Sequence, residues 1–136
     1  MATKSEIQGW IWYANNKKQE YENIVDDCDK KIARLEPVYQ KLGEIKDDFR
    51  SARKSTEEIF DEKGAWRGEK YTSFCNAGRV LDGACSDYYN QLDAAQDAVN
   101  EKIGELKAKK LEFIPLIGKL VAQISQLWVD FQNAAN

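Results

Sequence analysis

A seven-residue recurrence of apolar side chains constrains this chain more than any other feature. In its first half Ile7, Ala14, Tyr21, Cys28, Leu35, Leu42 and Phe49 fall at intervals of seven, and Ile11, Val25, Ile32 and Tyr39 each follow a member of that set by four. Such spacing lays all of them along one stripe of an α-helix and leaves Lys, Glu and Asp for the opposite face. Thr3 followed by Glu6 has the form of a capping box. The pattern predicts a first helix over about residues 5–62. Pro37 interrupts it, but Leu35 and Glu36 before it are not N-cap residues, which predicts a kink inside a continuing helix and not a clean stop.

The second half repeats the pattern. Tyr71, Gly78, Cys85, Leu92, Val99, Leu106, Phe113, Leu120 and Leu127 recur at sevens. Phe74, Leu81, Tyr88 and Ala95 supply the +3 positions early, and Ile103, Ile117, Ile124 and Phe131 the +4 positions later. A straight helix of 3.6 residues per turn drifts in this way against a strict seven. A second helix is expected over about residues 67–133, with a kink or break near Pro115 and Gly118. A short connection over about residues 63–67 makes the two helices antiparallel neighbours. The expected fold is all-α, a single coiled-coil-like helical hairpin spanning residues 1–136. A turn centred near residue 65 would set Trp10 beside Leu120 and Tyr21 beside position 109. Two prolines and eight glycines are too few turn formers for a domain of many short strands.

Charge and composition then narrow the chemistry. There are 23 acidic and 20 basic side chains, mixed along the chain for a net charge of −3, so no concentrated basic surface exists to begin nucleic-acid binding. The chain has no histidine, which removes the commonest proton-transfer group near neutral pH and the commonest metal ligand. Neither helix offers a catalytic constellation. The expectation is a protein that is not an enzyme and takes no cofactor, metal or small-molecule substrate. Cys28, Cys75 and Cys85 make an odd count, and Cys75 and Cys85 would lie about 15 Å apart along one helix, so they read as packed thiols. The first residues, Met1 to Glu6, lack the apolar run of a signal peptide. The most apolar stretch, from Phe113 to Val129, is interrupted by Pro115, Lys119, Gln123 and Gln126, too often for a bilayer span.

Two helices bury one stripe each, yet large apolar groups remain off the stripes: Trp10, Trp12, Tyr13, Ile24, Ile45, Tyr89, Ile114, Val121 and Trp128. Burying one such side chain is worth about 1.5–3 kcal/mol, so leaving all of them wet would be a liability. They imply a helical module built to lie against other helices, with Trp10, Trp12, Tyr13 and Trp128 as candidate partner-facing residues.

At the junction of the two heptad runs stands Trp66-Arg67-Gly68. With this turn the chain resembles the small helical-hairpin WXG proteins of type VII secretion, which carry a Trp-x-Gly turn between two long helices and lack a Sec signal. In length it is most similar to the LXG-associated α-helical subgroup encoded beside LXG-domain toxins of Gram-positive bacteria. The resemblance covers nearly the whole chain in architecture and rests on Trp66 and Gly68 in specific residues, which it implies fix the hairpin and a docking surface at its tip. A family export signal, Tyr-x-x-x-Asp/Glu, has a match at Tyr89 and Asp93, though closer to the turn than is usual in the family. The resemblance implies an adaptor that binds the helical N-terminal region of an LXG toxin, alone or with a second small helical adaptor, and promotes its export. It implies a cytoplasmic location in the producing cell, with co-secretion open, and membrane contact only through the secretion machine. From the residues alone, a self-associating coiled-coil scaffold and a membrane-active helical hairpin are the alternatives.

Overall fold

The structure, a computed structural model, describes residues 2–62 and 69–134, with side chains for 2–58 and 72–134. Two helices account for nearly all of them: α1 (Lys4–Glu62) and α2 (Glu69–Asn133), packed against each other as a hairpin. The expected connection, with Trp66 and Gly68, lies outside the described residues.

α1 begins where the capping residues placed it. The Thr3 Oγ1 accepts a hydrogen bond from the Glu6 amide at 3.2 Å, and the Thr3 carbonyl accepts the first helical bond from Ile7 at 3.0 Å. One of the otherwise orphaned first-turn N–H groups is thereby satisfied. α1 then continues through Pro37, and α2 through Pro115 and Gly118 to its end. The tail neither stops nor folds back at Pro115.

The helices form two compact units, Met1–Arg34 with Ile103–Asn136, and Leu35–Lys102. The first has an apolar seam. Ile7, Ile11, Ala14, Cys28 and Ile32 of α1 are buried, as are Ile103 and Leu106 of α2. Each of the larger ones contributes about 1.5–3 kcal/mol by leaving water. Tyr21 packs on Phe113 with ring centroids 5.2 Å apart and planes tilted by 57°. An ion pair joins Lys110 to Asp29. Tyr21 thus meets Phe113 and not position 109, a displacement of about one helical turn from the expected register. Part of the cause is that helical side chains lean toward their own N-terminus, so each contact is made by a residue lying further along its helix.

The second unit is seamed differently. Leu92 is its one fully buried apolar residue among the described side chains. Phe49 meets Tyr88 edge-on at 4.9 Å. Much of the rest is polar. Lys46 donates to the Asp93 carboxylate at 2.5 Å and to the Gln96 Oε1 at 3.1 Å. Arg53 donates to the Asp82 carboxylate at 2.7 and 3.2 Å and to the Ser86 hydroxyl at 2.9 Å. The Gln96 amide donates to the Tyr39 carbonyl at 3.4 Å. No buried side-chain polar atom among the described residues is left without a partner.

Candidate protein-interaction surfaces

Helical geometry sorts the exposed apolar residues into separate surfaces. On α1, Trp10 is half exposed, and 69% of Trp12 and 64% of Tyr13 remain open. Trp10 and Tyr13, three residues apart, lie on the same flank. Trp12 is turned about 200° from Trp10 and lines an open groove on the outer face with Asn16, Gln19 and Asn23. Trp10 itself borders a hollow shared with Ile7, Asp130 and Asn133.

On α2, Leu111, Ile114, Val121, Trp128 and Val129 are all exposed, Leu111 to 70%. Trp128 rests edge-on against Phe131 at 5.6 Å, and the Lys4 ammonium sits 5.4 Å from the centre of that second ring. Two residues, or about 200° of rotation, separate Trp128 from Asp130, which borders Trp10. Trp10 and Trp128 therefore belong to opposite flanks of the hairpin, although the sequence grouped them. Ile24, Ile45 and Tyr89, expected among the surplus groups, are instead half-buried.

Tyr89 and Asp93 are brought together on α2 and both are engaged by α1. The Tyr89 hydroxyl accepts a hydrogen bond from Arg50. The Lys46 ammonium and the Arg50 guanidinium sit 5.2 and 5.5 Å from the centre of its ring, within cation–π range. Lys46 also holds Asp93, and its side chain is only 14% exposed. The hydrogen bond from Asp93 raises the Lys46 pKa above its ordinary value, against the opposing effect of burial. Hydrogen bonding to Tyr89 raises Arg50, and to Asp82 raises Arg53, in the same direction.

Sequence reading missed Leu111 and Val129 as surface groups, because single apolar residues beside a long stripe carry no signal of their own. The seven-residue spacing of Ile114, Val121 and Trp128 was present in the sequence and marks a second stripe. Among the described residues, no helix is long and apolar enough to cross a membrane. No protein-family model matches this chain, and no match is found among curated proteins or solved structures, so its function rests on these surfaces and on the architecture that presents them.

Proposed function

We propose that the chain is a non-enzymatic adaptor of type VII secretion, acting in the cytoplasm of the producing cell. It binds the helical N-terminal region of an LXG toxin, alone or with a second small helical adaptor, and promotes its export. The observation that carries this reading is the exposed Trp10–Tyr13 flank on a two-helix hairpin. Large aromatic side chains held on a rigid helix, with no third helix over them, are the kind of anchor that dominates helix-on-helix interfaces. The hairpin architecture and the Trp66-Arg67-Gly68 sequence agree with the family resemblance and supply the class of partner. Asp93, with Tyr89, is engaged by α1, which favours packing over signalling at that pair and assigns the export signal to the partner.

The direct test measures binding of a neighbouring LXG N-terminal region by calorimetry to the unmodified chain and to a Trp10→Ala, Tyr13→Ala variant. Losing two aromatic anchors should cost about 2–4 kcal/mol, or roughly 30- to 1,000-fold in affinity, with helicity unchanged. Deleting the gene and measuring toxin export gives the cellular test. Undiminished secretion of every neighbouring LXG protein would sink the adaptor role.

A further inference from the structure

We propose that the C-terminal part of α2 is a self-association seam, which pairs antiparallel with the same segment of a second copy. Leu111, Ile114, Gly118, Val121, Ser125 and Trp128 follow one another at alternating spacings of three and four, the a/d pattern of a helix that faces another helix. All six are exposed, so α1 does not cover this stripe.

The order of side-chain sizes selects the occupant. Antiparallel pairing about a two-fold axis sets Leu111 opposite Trp128, Ile114 opposite Ser125, and Gly118 opposite Val121, with each pair occurring twice. Size then grows outward from the axis in both directions. The smallest layers sit where two crossing helices come closest, and the largest fill the gap where they diverge. A closed, self-complementary dimer requires this symmetry. Parallel pairing would instead put glycine on glycine and serine on serine as hollow layers, tryptophan on tryptophan as an overfull one, and Lys107 and Lys110 against their own copies. In the antiparallel arrangement those lysines lie at opposite ends of the seam, so like charges stay apart.

The open area fits as well. Leu111, Ile114, Val121, Trp128 and the flanking Val129 leave roughly 500 Å² per copy, taking whole side chains at roughly 150–250 Å². Two copies give about 1,000 Å², and the aliphatic stems of Lys107 and Lys110, which line a hollow beside Leu111 and Ile114, bring the total near the lower limit of about 1,200 Å² for specific interfaces. An interface of that size gives a reversible dimer with a dissociation constant roughly in the micromolar range. Trp10 and Tyr13 stay on the opposite flank, so the dimer stands or falls independently of the toxin-binding role.

Sedimentation equilibrium of the purified full chain, alone and over a wide concentration range, tests the seam. Gly118→Leu is the informative variant. A Cβ at Gly118 meets nothing within 4 Å in the single chain, so the helix accepts it and gains stability, while the innermost layer of the dimer becomes overfilled. The expected result is a reversible dimer whose dissociation constant rises at least about tenfold in Gly118→Leu, with helicity and urea midpoint not lowered. Val80→Ser, which removes an exposed apolar group in the other unit, should leave the dimer unchanged. A monomer at every concentration overturns the proposal and leaves the stripe to a different partner. Tighter association in Gly118→Leu overturns it in favour of parallel pairing, and an equal loss in Val80→Ser overturns it in favour of another surface.

Discussion

Replacing Gly9, Gly83 and Gly104 together by alanine should stabilise the hairpin by an amount set mainly by backbone entropy. All three lie inside helices, and a Cβ built at each meets nothing within 4 Å. The native packing therefore loses nothing, while the unfolded chain loses conformational freedom, which gives about 0.8–1 kcal/mol per site. The three positions share no neighbours, so their effects add to about 2.5–3 kcal/mol. With a urea m-value of about 1–3 kcal/mol/M, the midpoint should move up by roughly 1 M or more at unchanged slope. Gly43 provides the internal control. Its Cβ would lie 3.1 Å from the Gln96 Nε2, and that side chain also receives Lys46 at 3.1 Å and donates to the Tyr39 carbonyl at 3.4 Å. Part of the entropic gain would be lost in moving Gln96, so Gly43→Ala should yield less than half the gain of Gly83→Ala. A triple variant with an unmoved or lowered midpoint, or a Gly43→Ala gain equal to the others, would refute this reasoning.

Three further outcomes follow from the seams. Cys28 is buried whereas Cys75 and Cys85 are half-buried, so iodoacetamide followed by mass spectrometry should label the latter two in the native protein and reach Cys28 only on unfolding. Phe113→Ala removes the partner of Tyr21 from a half-buried site and should cost about 2–3 kcal/mol, below the range for fully buried aromatics, seen as a lowered midpoint in circular dichroism. Because the folded pKa of Lys46 is raised, chiefly by Asp93, its stabilising contribution is fully present below the ordinary lysine value and is lost as pH rises through the folded value. The stability difference between the unmodified chain and Lys46→Met should be constant near neutrality and shrink above pH about 10.4, and a difference that stays flat through alkaline pH would contradict the assignment.

The heptads were enough to read the helices, their approximate ends and the Thr3 cap, because period and capping chemistry are local properties. Which residues face inward was less legible. Tyr88 was expected on the α2 stripe and Tyr89 off it, yet Tyr88 is 47% exposed and Tyr89 is half-buried beneath Lys46 and Arg50. Leu81 is exposed too, and Gln96, not Ala95, reaches across to Tyr39. An undistorted helix rotates about 20° per heptad against a strict seven-residue repeat, so over several heptads the inward face passes to the next residue. The polar seam of the second unit was invisible for another reason. Lys46, Arg53 and Asp82 look like solvated charges until the register is known, and side-chain lean moves that register by about a turn. The surplus of apolar side chains was legible, but its division into two flanks required the packing partners of Trp10 and Trp128.

The polar seam has a consequence for alignment. An apolar stripe that repeats every seven residues nearly superimposes on itself when one helix slides past the other by two turns, so hydrophobic burial alone barely distinguishes one setting from the next. The charged contacts do not share that degeneracy. A slide of seven residues would put Ser86 or Asn100 where Asp93 receives Lys46, and Cys75 or Tyr89 where Asp82 receives Arg53. In the unit with the least buried apolar surface, Lys46 and Arg53 thus act as a vernier, selecting a single phase from a set of otherwise similar ones.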